Sequence, residues 1–175
     1  NFHPSLHSHQ VAPVHFDDLA THIYYIDNEK GEADNSFAKI QYNDGKEQTN
    51  FISHQKKISY RPKTRRVESL SLNLSTSQNE SFEFQIIPEV NMFMCGLGYM
   101  HPDWGHGQFK GESETHYDTY DLNEDPQDPP FLHVQSLCKV ILKMPEGEIE
   151  GRGVLEQLFL GPHEPSGFKD LLDKP

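Results

Sequence analysis

Basic residues are scarce in this chain. Fifteen Lys and Arg stand against 27 Asp and Glu, a formal net charge of −12 over 175 residues. Such a field repels phosphate backbones and anionic lipid. Positive charge gathers at Lys56-Lys57 and between Arg61 and Arg66. That reads as a solvated strand face, so nucleic acid is not an expected partner. Cysteine is nearly missing. Cys95 and Cys138 are the two present, at a spacing that fits no metal or redox motif, and free thiols in a cytoplasmic protein are the simplest reading. Apolar residues make up 34% of the chain. No run approaches the ~18 apolar residues of a membrane span, and no signal peptide is recognisable. No window sustains an amphipathic helical period.

What is present alternates. Leu70, Leu72 and Leu74 are spaced by polar residues, as are Phe82, Phe84 and Ile86, the pattern of strands with one buried face. Thr21 to Ile26 is rich in β-formers, Phe37 to Tyr42 alternates, and Ile58 and Tyr60 form a short pair. Gln108 to Tyr117, Phe131 to Leu142 and Val154 to Leu160 also read as strands. Asn43-Asp44-Gly45, Asn79 and Met144-Pro145-Glu146-Gly147 supply turns between them. Leu122 to Pro130 is a loop by composition, and Ser166 to Leu172 suits one short helical turn. One domain is expected, its core leaning on 11 Phe and seven Tyr. A domain of this size buries roughly 70% of the surface of its unfolded chain and needs no disulfide.

The expected fold is all-β, an antiparallel lipocalin/calycin-like barrel of about eight to ten strands. A jelly-roll sandwich is the alternative. Residues 1–18 hold His3, His7, His9 and His15 with Pro4 and Pro13, and read as a polar arm or linker. Residues 19–175 are the barrel. Asn1-Phe2-His3 would chelate Cu²⁺ or Ni²⁺ if its amine were free; a plain polar tail is the simpler reading. The chain opens in a polar segment without Met, so it is expected to be processed or part of a longer polypeptide.

Chemistry concentrates in Gly96-Leu97-Gly98-Tyr99-Met100-His101-Pro102-Asp103-Trp104-Gly105-His106-Gly107, which carries the single tryptophan. Together with Leu132-His133-Val134-Gln135 and the run from Gly151-Arg152-Gly153 to Gly161-Pro162-His163, it resembles the C-terminal half of two-domain, lipocalin-like bacterial proteins of the AttH and hydroxyneurosporene synthase (carotenoid 1,2-hydratase) group. The resemblance covers residues 19 to 173. That group's Asp-His-x-Trp-Gly motif stands here as His101-Pro102-Asp103-Trp104-Gly105. The resemblance implies a hydrophobic, isoprenoid-like ligand and hydratase- or isomerase-like chemistry. It also implies a partner barrel, supplied by a second domain or a homodimer. No cofactor is expected.

Hydrating an isolated alkene takes an acid to protonate carbon and a base to prepare water. Shielded carboxyls and histidines suit both tasks. Asp103, His106 and Glu156 are the catalytic candidates; Tyr99, His101, Trp104 and His133 are the ligand-contact candidates, the aromatics offering π faces to a carbocation. Glu156 shares a strand face with Val154 and Leu158, and an acid there is either paired or functional. Asp103 reads equally as a turn residue, Glu112 as a solvated strand residue, and Trp104 as a barrel plug. A non-catalytic binding or scaffold domain is the second hypothesis. A metal enzyme built on His101 and His106, with Glu112 and His116 following, is the third. Nucleophilic catalysis has weaker support, because no serine or cysteine sits in a setting such as Gly-x-Ser-x-Gly.

Overall fold

The computed structural model describes residues 8–94, 108–117, 119, 121, 126, 131–170 and 173. Nine strands follow in order: β1 (Ser8–His15), β2 (Leu19–Asp27), β3 (Ala33–Tyr42), β4 (Thr49–Asn50), β5 (Ser53–Tyr60), β6 (Val67–Ser75), β7 (Ser81–Phe93), β8 (His133–Met144) and β9 (Gly147–Phe159). A 3-10 turn, Glu164–Ser166, comes after them. All nine strands belong to one antiparallel sheet of order β4-β3-β2-β1-β9-β8-β7-β6-β5. Chain neighbours are sheet neighbours except at β4 and β5, and β1 joins β9. This up-and-down order belongs to a barrel-like fold rather than to the Greek-key jelly roll.

The sheet curls until its two ends meet. Phe51 N–H donates to Ala38 O on β3 at 3.4 Å, and Ile52 N–H donates to Ser75 O on β6 at 2.9 Å, so two residues carry the chain across the seam. Inside, Leu70, Leu72 and Leu74 face Phe82, Phe84, Ile86, Val140 and Leu142, all buried. Burying each such side chain contributes about 1.5–3 kcal/mol, which is why the alternating runs settle with these faces inward. The turns fall where positive φ or proline was expected: Gly45 and Asn79 have φ of 80° and 63°, and Met144 pairs with Gly147 around Pro145-Glu146.

Three expectations need correction. Residues 8–15 are not an arm. They form the strand that closes the sheet between β2 and β9. Ala12 and Val14 alternate inward and are buried. The β1–β9 ladder skips Ala12 and Pro13, where proline has no N–H to give, while pairing with β2 runs unbroken. Gln108 to Tyr117 is not a strand; its residues are exposed and irregular, as its run of charged and polar side chains allows. The C-terminal helical turn is the 3-10 turn ending at Ser166.

Gly151 and Gly153 let β1 lie close on β9. A Cβ at Gly151 would stand 2.5 Å from His15 O and 2.6 Å from the Phe16 ring. Gly151→Ala is therefore expected to lower unfolding stability by about 1–3 kcal/mol through overpacking. Urea titration checks this, and an unchanged midpoint would contradict the close approach.

The two ends of the barrel differ. At one end stand Leu19, Ile40, Leu74, Phe82 and Leu142. At the other, β2, β5, β7 and β9 finish and β1, β6 and β8 begin. There the interior turns polar. Gln157 Nε2 donates to Ser136 Oγ at 2.6 Å, Ser136 Oγ donates to Asn91 Oδ1 at 2.7 Å, and Val67 N–H donates to Gln157 Oε1 at 2.8 Å. The β7–β8 connection, which carries Gly96 to Gly107, leaves from and returns to this polar end.

Candidate functional site

Among the described residues the inward faces of the strands carry buried apolar side chains, and the outer face also bears on function. A bulge between Pro88 and Val90 shifts the β7 register. Beyond it Asn91 and Phe93 point inward, and Val90 and Met92 point out. Leu137 pairs with both Val90 and Val154, and Gln135 pairs with both Met92 and Glu156. The outward face of β7, β8 and β9 thus carries an apolar row, Val90–Leu137–Val154, directly beside Met92–Gln135–Glu156. Val90, Met92 and Leu137 are 36%, 38% and 45% exposed.

This patch runs up to a shielded acid–imidazole pair. His133 Nε2 stands 3.0 Å from Glu156 Oε1, with 8% and 22% of the two side chains exposed. Leu158 lies beside them and is buried although it points away from the barrel interior. One predicted catalytic residue and one predicted ligand contact are therefore in direct contact. The face that Glu156 shares with Val154 and Leu158 is the outer one. Tyr99, His101, Asp103, Trp104 and His106 lie outside the described residues. Glu112 and His116 are exposed on the irregular segment. Among the described residues no group of three His, Cys, Asp or Glu side chains is arranged to hold a metal ion.

A family of unknown function, DUF8625, matches residues 5–169. The chain belongs to that family. No curated protein matches it.

In this DUF8625 member a second cluster lies inside the polar end, and sequence reasoning missed it. Asp27, wholly buried, forms an ion pair through Oδ2 with Lys56 Nζ, 11% exposed. The same oxygen is 3.5 Å from His163 Nε2. His163 Nδ1 is 2.6 Å from Ser166 Oγ, and Ser166 Oγ is 2.6 Å from the Tyr60 hydroxyl. Among the described residues Asp27 Oδ1 and His163 Nε2 are both buried without a hydrogen-bond partner. Burial pulls the Lys56 ammonium below its usual range against the opposing pull of Asp27. Burial also raises the Tyr25 and Tyr60 phenols. His54, its ring tilted against that of Tyr25 with centroids 4.4 Å apart, is lowered by burial and then by the Lys56 charge.

Arg65 fastens the following segment. It donates to the carbonyls of Phe159, Gly161, Asp170 and Asp173 and stacks over Phe168 at 4.3 Å. Arg66, buried, donates to Pro126 O and Phe131 O at 2.6 and 2.7 Å. The basic stretch read as a solvated face thus contributes two buried clamps. Cys138 is buried, its thiol pushed up to about 12 by burial, so it is not a nucleophile. At the seam a cleft of about 50 Å³ is lined by Tyr25, Phe37, Phe51 and His54, against ~300 Å³ or more for a small-molecule site.

Proposed function

We propose that the outer face of β7, β8 and β9 binds a hydrophobic small molecule, with its polar or reacting atom at His133 and Glu156. The observation that supports this is the exposed apolar row ending on a shielded carboxylate–imidazole pair. Apolar chain burial on Val90, Met92 and Leu137 would supply affinity. The pair would supply proton transfer, one group delivering a proton to carbon and the other taking one from water. This suits the hydratase- or isomerase-like chemistry that the AttH-type resemblance implies, with an isoprenoid-like ligand.

The test uses a prenyl alcohol such as farnesol, with binding read by calorimetry. Leu137→Glu places a charge in the apolar row and is expected to weaken binding at least ~10-fold, the effect of ~1.4 kcal/mol. Glu156→Gln should keep binding and lose turnover. Wild-type affinity in Leu137→Glu would overturn the reading. The flatness of the same exposed row favours one other reading, a non-catalytic seat for a second β domain or a second copy of the chain. In that case Leu137→Glu changes the oligomeric state and leaves farnesol binding unaltered.

A further inference from the structure

We propose that Ser166, His163 and Asp27 form a nucleophile–base–orienter set that takes the acyl group from small uncharged esters, with the Tyr60 hydroxyl as oxyanion donor. Two hydrogen bonds link three of the side chains, Tyr60 hydroxyl to Ser166 Oγ and Ser166 Oγ to His163 Nδ1, each at 2.6 Å, and His163 Nε2 lies 3.5 Å from Asp27 Oδ2 without a hydrogen bond. Their proton order follows from acidity. A phenol is the better donor to a hydroxyl than the reverse. A neutral imidazole turns its N–H toward a carboxylate rather than its lone pair. Tyr60 then donates to Ser166 and Ser166 donates to His163 Nδ1, which leaves the Nε2 proton on the side of Asp27. The order is that of a serine nucleophile, with the two ring nitrogens exchanged relative to the chymotrypsin pattern, but at 3.5 Å His163 Nε2 makes no hydrogen bond to Asp27. Contacts of acid–base sites often tighten only when substrate binds, and the reaction requires that closure here.

The local fold holds the set in place. Lys56 fixes the Asp27 carboxylate. Glu164 N–H donates to Glu29 O at 2.8 Å, Ser166 N–H donates to His163 O at 3.1 Å, and His163 bridges Phe168. Gly167, at φ 74°, turns the chain directly after Ser166 and leaves that residue half-buried at a corner. Phe168, buried with its ring 4.9 Å from that of Tyr60, backs the phenol and fixes its place beside Ser166. The acidic surroundings of Glu164 and Asp170 and the net charge of −12 disfavour anionic substrates.

The steps balance with water as the sole co-reactant. Ser166 Oγ bonds to the ester carbonyl carbon as its proton passes to His163 Nδ1. The carbon–oxygen bond to the alcohol breaks, and His163 returns the proton to the departing alcohol. Water then attacks the acyl-serine by the same proton route, releasing the carboxylic acid and free Ser166.

The test treats the folded chain with diisopropyl fluorophosphate at pH 8, where serine oxygen displaces fluoride from phosphorus. Adducts are mapped by peptide mass. One adduct is expected, on Ser166, absent from Ser166→Ala and from heat-unfolded protein. His163→Gln should label ~10³-fold more slowly, and Tyr60→Phe about 100-fold more slowly. Circular dichroism checks that each variant folds. An unlabelled Ser166 in folded wild type overturns the proposal, as does wild-type labelling of folded His163→Gln. If His163→Gln does not fold, wild-type labelling of Tyr60→Phe overturns it.

Discussion

Raising the pH from 8 to 11 is expected to remove about 5 kcal/mol of folding stability. Cys138, Tyr25 and Tyr60 are all held protonated by burial: the thiol is raised from 9.0 to about 12, and both phenols lie above their usual 10.0. A group whose pKa is higher in the folded state binds more protons there. Its contribution is complete below the unfolded pKa and is lost as pH rises toward the folded one. At pH 11 the unfolded thiol is two units past its pKa and each unfolded phenol one unit. At 1.36 kcal/mol per unit this amounts to about 2.7 kcal/mol for Cys138 and about 1.4 kcal/mol for each tyrosine. Lys56, lowered by burial, acts in the opposite sense, since its burial penalty shrinks as the proton leaves. Whole-domain stabilities run to only about 5–15 kcal/mol, so the chain should approach its unfolding midpoint near pH 11. Urea titrations at pH 8, 9.5 and 11 measure this. Cys138→Ala should remove the loss that begins at pH 9 while leaving the steeper one above pH 10. A flat stability between pH 9 and 11 would mean that these groups are solvated.

The elements legible in the sequence were those whose alternation is clean. Leu70, Leu72 and Leu74, or Phe82, Phe84 and Ile86, state their face without reference to any neighbour. β1 was not legible. Its Pro13 and two histidines look like an arm, and only the pairing of Val11 with both Tyr24 and Glu156 shows it to be interior to the sheet. Glu156 was suspect from its apolar flanks, and His133 from the resemblance, but their contact depends on the β8–β9 register. Whether the Glu156 face is inside or outside depends on the curl of the whole sheet. Asp27 had no signal at all. Lys56 is 29 residues away, on the far side of the seam, and His163 lies beyond the last strand. A strand ending in Asp before Asn28-Glu29 looks like a turn, and local patterns cannot reveal a residue whose partners all arrive from distant elements. One signal was available in hindsight: His163 and Ser166, three residues apart around Pro165, sit at a spacing that a single tight turn brings into contact.

Removing either member of the Asp27–Lys56 pair should destabilise the fold, and for Asp27→Ala the loss should shrink as pH rises. Asp27→Ala leaves the Lys56 ammonium, 11% exposed, with Gln10 Oε1 at 3.4 Å and the Tyr25 ring at 5.2 Å as its neighbours. Breaking a buried pair in this way costs about 3–5 kcal/mol near neutral pH. That penalty has a ceiling, because Lys56 can shed its proton. The ceiling falls by about 1.4 kcal/mol for each unit of rising pH while the unfolded lysine stays protonated, so Asp27→Ala should come closer to wild type between pH 7 and 10. Lys56→Met leaves the wholly buried Asp27 carboxylate without its ammonium partner and should likewise cost about 3–5 kcal/mol at neutral pH. Replacing both, as Asp27→Leu with Lys56→Met, removes both charges from the interior, and such exchanges are often neutral or stabilising. Stability of the three variants against pH, from urea titrations on one buffer series, decides the matter. Single variants as stable as wild type at pH 7, or an Asp27→Ala penalty that does not fall between pH 7 and 10, would mean that water reaches the pair and that its charges are not interior ones.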